Sequence, residues 1–225
     1  MTTIERAHSA TDTTTILGLV GVVGIACFAA AFAAMHAIQP DLSPIEYFGS
    51  DYAYGRGGWV MRLGILTAAA GTVALAFGLR QSLAPVKRRD LGVTLLMVAG
   101  AGFVGSGLFV TDPPKEDGTT GYTTEGALHD LAGIVLLLSL IAGAFVLSRV
   151  FTRDPRWQRW ARPTRLFAWI VVVGVVVEVV AGGISPPGTG GVAGLIQRVL
   201  FAIVLTWLAL LSWHVHRLGA SPTRP

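Results

Sequence analysis

Cysteine occurs once in the 225-residue chain, as Cys27. An intrachain disulfide is therefore excluded, and so is a zinc site that needs two thiolates. Charge is also scarce. Only 13% of residues are Asp, Glu, Lys or Arg, about half the share found in an ordinary soluble domain. That argues against a soluble enzyme and against a disordered polar tail. The 17 Lys and Arg stand against 13 Asp and Glu, a net charge of +4. Such a small surplus cannot line a nucleic-acid groove, so no nucleic-acid partner is expected. What is abundant is apolar surface, at 52% of residues, and the class left standing is a membrane protein.

A membrane span needs about 20 mostly apolar residues. Six stretches qualify: Ile16–Ile38, Gly58–Leu79, Leu91–Val110, Ala127–Ser148, Leu166–Ile184 and Val192–Trp213. Lipid offers backbone groups no hydrogen-bond partners, so each span must be a helix. The expected fold is all-α, a polytopic bundle of six transmembrane helices. Residues 1–15 form one tail, 16–214 a single membrane domain and 215–225 a second tail. Ala29 and Ala31 give the first stretch an A-x-A-like setting. Its apolar run exceeds the roughly 7–15 residues of a signal-peptide core, so it is expected to be retained.

Lys and Arg set the orientation. One side collects Arg6, then Arg80, Lys87, Arg88 and Arg89, then Arg149, Arg153, Arg156, Arg159, Arg162 and Arg165, and finally Arg217 and Arg224. Only Arg56, Arg62, Lys115 and Arg198 remain for the other side. Both termini are therefore expected in the cytoplasm, with the protein multi-pass in the cell membrane. Tyr47, Tyr52, Tyr54 and Tyr122 fall in the outer loops, and Trp157, Trp160, Trp169 and Trp213 near the inner surface. This distribution reads as two aromatic belts. The arginine-rich link could also attract anionic lipid, although topology alone accounts for it. Pro40, Pro113 and Pro186 are equally spaced and end the odd-numbered spans. They suggest three hairpins of equal length, with chance as the alternative.

Glycines recur on helix faces: Gly18, Gly21 and Gly24, then Gly64, Gly71 and Gly78, with Gly100, Gly102, Gly105 and Gly107 crowded in the third span. Small residues let helix backbones approach closely in lipid. Packing within one bundle is the favoured reading over a homodimer motif.

Charges inside spans are costly and so point to function. Arg62 sits ~6 Å inside its outer helix end, and Glu178 and Arg198 each ~9 Å inside theirs, from the helical rise. His129 and Asp130 open the fourth span on the same side, Asp112 closes the third, and His36 lies near the end of the first. Carboxylates equal or outnumber guanidiniums, so the cluster can neutralise itself. A dedicated phosphate clamp would keep uncompensated Arg. The bland alternatives are a snorkelling Arg62, an Arg198–Glu178 salt bridge, a capping His129 and a turn at Asp112 before Pro113 and Pro114. The loop Gly49–Trp59, GSDYAYGRGGW, could lid a pocket or be a plain turn-rich connection.

Four short stretches carry a resemblance. Ser50-Asp51-Tyr52-Ala53-Tyr54-Gly55, Gly107-Leu108-Phe109-Val110-Thr111-Asp112, Leu128-His129-Asp130 and Gly194-Leu195-Ile196-Gln197-Arg198 resemble the bacterial domain-of-unknown-function family 998. The resemblance covers roughly residues 35–210 and implies a small six-helix membrane protein. It brings no activity. The matched positions Ser50, Asp51, Asp112, His129, Gln197 and Arg198 all fall on the outer side, whereas Arg62 and Glu178 stand out from burial cost alone.

Three functions stay open. The first is a non-catalytic protein whose polar cluster fixes the bundle and which meets membrane lipid or another membrane protein. The second is an outward-facing small-ligand binder or carrier, with Arg62, Glu178, Arg198, Gln197, Asp51 and Ser50 as ligand contacts and the ligand unknown. A carrier site should lie nearer the midplane. The third is an intramembrane hydrolase using His129 with Asp112, Asp130 or Ser50. No metal-ligand spacing is recognisable, so no metal and no cofactor are expected. His36 with His129 is the one conceivable haem pair, since His214 and His216 point in different directions.

Overall fold

A computed structural model describes residues 3–113, 123–184 and 189–220, with side chains from residue 12 onward. Of the residues invoked above, Arg6, Pro114, Lys115, Tyr122, Pro186 and Arg224 lie outside the described residues or side chains. Six helices follow in order: α1 (Thr3–Ile38), α2 (Gly58–Ser82), α3 (Arg89–Leu108), α4 (Thr124–Phe151), α5 (Gln158–Ile184) and α6 (Ala193–Ala220). All six are long and apolar enough to cross a membrane. Even the β-branched run Val171–Val173 and Val175–Val177 of α5 is helical. In water such residues favour strands, but lipid demands internally paired backbone.

Every expected span is found, and several helices run further than their apolar cores. α1 begins at Thr3 and α6 continues to Ala220, so much of what composition marks as tails is helical. α5 begins at Gln158 and takes in Pro163. Pro163 is the sixth residue of the helix, past the first turn, so α5 forgoes one intrahelical bond, the one to the Arg159 carbonyl.

The helices form a closed ring. α1 packs on α2 and α6, α2 on α3, α3 on α4, α4 on α5 and α5 on α6, while α2 also reaches α6. The residue 83–88 and 152–157 links share one end with the start of α1 and the close of α6. Thr14 Oγ1 there donates to Gln81 Oε1 at 2.9 Å. His216 Nδ1–H donates to the Thr15 carbonyl at 3.1 Å. We call this the arginine end and its opposite the loop end.

The glycine stripes mediate packing within the bundle. A Cβ on Gly24 would fall 2.4 Å from the Thr67 carbonyl oxygen, and one on Gly18 would fall 2.3 Å from the His216 backbone nitrogen. Only glycine lets α1 approach α2 and α6 this closely.

The aromatic-belt expectation holds for some residues and fails for others. Trp169 and Trp213 are exposed on the helix surface, as anchors should be. Trp157 and Tyr52 are fully buried. Trp157 stacks on Phe151 with ring centroids 4.9 Å apart, because its link folds back under the bundle rather than lying along the interface.

Candidate polar cluster and lateral groove

The loop end is built on a folded connection between α1 and α2. Gln39 closes α1 and its side-chain amide donates to the Tyr54 and Arg56 carbonyls, each at 2.8 Å. Arg56 returns a bond from Nη2 to the Ile38 carbonyl at 2.7 Å. The Arg56 bond satisfies a carbonyl that the end of α1 leaves open, and the Gln39 bonds tie the loop carbonyls to that end. The Gly49–Ala53 segment forms a 3₁₀ turn, in which Asp51 is only 6% exposed. The Asp51 carboxylate accepts the Phe48 backbone N–H at 2.8 Å. Burial pushes its pKa up to about 7 from 3.8, against the opposing pull of that N–H and of the Arg198 charge.

Arg198 reaches this turn from the first part of α6. Its Nη1 donates to the Tyr47 carbonyl at 2.7 Å and the Gly194 carbonyl at 3.0 Å. Its Nε donates to His36 Nε2 at 3.2 Å. The His36 Nδ1–H in turn donates to the Phe32 carbonyl at 2.9 Å. An imidazole that donates through one nitrogen and accepts through the other is neutral. The guanidinium also lies 5.4 Å from the ring centroids of both Phe32 and Tyr52, a cation–π arrangement. Its Nη2 is buried with no acceptor among the described residues. Gly194 permits this docking, since a Cβ there would fall 2.2 Å from the Tyr47 carbonyl oxygen.

Gln197 extends the brace sideways. Its carbonyl oxygen accepts the Gly49 N–H at 2.6 Å, and its amide donates to Glu178 Oε1 at 2.9 Å. An Arg198–Glu178 salt bridge was one option from sequence. The structure pairs Glu178 with Gln197 instead, because neighbouring residues on α6 project in different directions and Arg198 turns toward α1. Ser50 is half-buried in the 3₁₀ turn beside this network.

The remaining candidates belong to a different place, the junction of α3 and α4. Arg62 donates from Nε to the Gly107 carbonyl at 3.1 Å and from Nη2 to the Leu108 carbonyl at 2.9 Å. It therefore caps the end of α3 rather than snorkelling. The buried His129 donates through Nδ1–H to the Phe109 carbonyl at 3.0 Å. Glu125 accepts the Val110 N–H at 3.0 Å. Asp112 accepts from the Thr123 N–H at 3.0 Å and from its hydroxyl at 2.6 Å, and Thr123 caps α4 through the Gly126 N–H at 3.0 Å. Asp130 is exposed on α4. The charges that share one depth thus fall into two groups around the ring.

The arginine end holds a joint that sequence reasoning missed. Asp154 is 2% exposed and accepts the backbone N–H groups of Ala84 and Arg156, each at 3.0 Å. Arg156 Nη2 donates to Asp154 Oδ2 at 3.0 Å and to the Ser82 carbonyl at 2.6 Å. His214 Nε2–H donates to the Arg156 carbonyl at 2.9 Å, and its Nδ1 accepts from Arg159 at 3.0 Å. Burial opposes ionisation of Asp154, but the bonds from Arg156 and Ala84 outweigh it and hold the pKa below the usual carboxylate value. One signal was available: Asp154 is the only acid in a link crowded with arginine.

The polar groups do not line the lateral cavity. That cavity is an open groove of about 560 Å³ between α5 and α6, walled by Trp169, Val173, Val177, Leu195, Val199 and Ile203 among others. Its origin is the loose seating of α5, whose buried residues are Ala161, Thr164, Phe167, Ala168 and Val171, all in its first half. Beyond Val171 the helix is tied by the Glu178–Gln197 bond. Among the described residues, no group of three or more His, Cys, Asp or Glu is placed to hold a metal ion.

Six apolar helices with polar groups bonded at their ends define a multi-pass integral membrane protein. The profile of a protein family of unknown function, DUF998, matches residues 22–214. The chain belongs to that family, as the four short stretches at Ser50, Gly107, Leu128 and Gly194 imply. It matches no curated protein and no solved structure.

Asp51 supplies a direct test of the loop-end electrostatics. Its raised pKa means that the folded state binds a proton more tightly than the unfolded chain. Stability is then fully present below the ordinary carboxylate value and is lost as pH rises through about 7, a change of roughly 4 kcal/mol. Thermal melts of purified protein should fall in temperature between pH 5 and 7.5. Asp51→Asn, which keeps an acceptor for Phe48, should flatten that dependence. An equal slope in the variant would show that another group controls it.

Proposed function

We propose that this protein is a non-catalytic, lipid-interacting component of the cell membrane, with both termini in the cytoplasm. The groove between α5 and α6 carries this reading. Its walls are apolar, it opens sideways from the helix ring, and in a bilayer the only solvent at that depth is lipid tails. The polar residues support a structural role for the cluster. Arg198, Gln197, Glu178, Asp51 and His36 bond to one another or to backbone carbonyls and amides. Arg62, His129 and Asp112 do the same at the α3–α4 junction. In this reading Ser50 and Asp51 shape the turn rather than touch a ligand. The orientation follows from the excess of arginine at one end.

Native mass spectrometry of the detergent-solubilised protein tests the reading. Wild-type protein should retain at least one phospholipid. Val173→Trp/Val199→Trp fills the groove from positions exposed in the bundle and should lose it while melting at an unchanged temperature. Retention that is unchanged in the filled variant would refute the groove as the lipid site.

A further inference from the structure

We infer that the α5–α6 groove is the tail slot of an anionic phospholipid, whose headgroup sits on Arg162, Arg165 and Arg217 at the arginine end. The inference rests on the lipid-groove reading above and names the ligand class. Both walls of the groove lead to the same kind of rim. On α5, Trp169 lines the groove, Arg165 lies one turn before it and Arg162 two turns before it, on the same helix stripe. On α6, the stripe through Val199 and Ile203 continues to Trp213 and then, one turn later, to Arg217. Trp169 and Trp213 are exposed, and so are Arg162, Arg165 and Arg217.

Charge chooses the occupant. No carboxylate among the described residues pairs with Arg162 or Arg165. The single acid of that link, Asp154, is buried and committed to Arg156 and Ala84. At the opposite end of the groove Gln197 has its amide committed to Glu178, whose carboxylate disfavours a phosphate there. The headgroup must therefore lie at the arginine end. Length agrees as well. From Arg165 to Val177 α5 rises ~18 Å, close to one leaflet of a ~30 Å hydrocarbon core. Tryptophan at the junction of tail and headgroup is the residue that such a boundary favours. Guanidinium is also the side chain best matched to phosphate oxygens.

The test titrates the full-length protein in detergent with dioleoyl-phosphatidylglycerol and, separately, dioleoyl-phosphatidylcholine, with adducts counted by native mass spectrometry. Wild type should prefer the anionic lipid by ~10-fold or more, as expected for two or three arginines at the headgroup. Higher salt should erode the preference. Arg162→Gln/Arg165→Gln/Arg217→Gln should abolish the preference while still binding both lipids weakly through the groove. Lys87→Gln/Arg88→Gln/Arg149→Gln removes equal charge at the same end but away from the groove, and should keep it. Equal wild-type affinity for the two lipids, or a preference indifferent to salt, would overturn the headgroup assignment and leave the groove reading intact. Equal loss in both triple variants would overturn it too, by showing a diffuse field. Binding of neither lipid by wild type would overturn both readings.

Discussion

Arg198→Ala should lower the melting temperature of the purified protein by roughly 10 °C and reduce its yield. The guanidinium makes three hydrogen bonds, to the Tyr47 and Gly194 carbonyls and to His36. It is flanked by the faces of Phe32 and Tyr52. Truncation leaves two carbonyls and an imidazole nitrogen without their donor in a half-buried site. Hydrogen bonds to a charged group contribute about 1.5–3 kcal/mol each, and bonds sharing one side chain are not additive. A net loss of about 3–5 kcal/mol follows, and ~1 kcal/mol moves the melting temperature of a chain this size by ~2–4 °C. Arg198→Lys should recover part of the loss, because an ammonium can reach a carbonyl but cannot spread over Tyr47, Gly194 and His36 together. Thermal melts with yield from matched cultures check both. A stable, abundant Arg198→Ala protein would return Arg198 to the list of ligand-binding residues.

The second large effect is expected at the other end of the bundle. Asp154→Ala should destabilise the protein by about 2–4 kcal/mol. It strands the Ala84 and Arg156 backbone amides and the Arg156 guanidinium, all of which now meet one carboxylate. The exposure of the Arg156 side chain, at 54%, keeps the loss below that of a fully buried pair. Asp154→Asn keeps an acceptor for Ala84 and should lose less. The sign of the pH dependence is opposite to that of Asp51. The pKa of Asp154 is held below the ordinary carboxylate value, so its contribution is present above that value and disappears as pH falls through the lowered one. Between pH 5 and 7.5 it is constant, so melts in that window report Asp51 alone among these two.

The two ends of the molecule were unequally legible in the sequence. Span count and approximate limits follow from apolar length, because lipid permits little else. The glycine stripes at Gly18, Gly21 and Gly24 and at Gly64, Gly71 and Gly78 were read as bundle packing, and a Cβ at Gly24 or Gly18 would collide with the neighbouring helix. Depth was also readable, since it is rise multiplied by residue count. Azimuth was not. Arg62, His129 and Asp112 share a level with Arg198 and Glu178, yet they face the α3–α4 junction. Which way a helix turns its charged face depends on packing with helices distant in sequence. The destination of Arg62 had a physical cue, because the last carbonyls of α3 need donors and Arg62 lies at their depth.

The Asp154 joint and the lateral groove were harder for opposite reasons. The link Arg153-Asp154-Pro155-Arg156 reads as topology because its arginines satisfy the orientation rule, which hides the one acid they surround. The groove has no polar signal. Gly174 lies against Leu200, whose side chain a Cβ there would strike at 2.2 Å, and the valines around it read as ordinary lipid-facing surface.

An experimental structure of the protein in nanodiscs of phosphatidylglycerol and phosphatidylethanolamine is the most direct single measurement. It should show an acyl chain between α5 and α6, a headgroup beside Arg165, and Arg198 bonded to Tyr47 and Gly194 with no non-protein density in contact. A ligand seated on Arg198, with the α5–α6 groove holding no ordered lipid, would contradict the structural role of the cluster and the lipid role of the groove together.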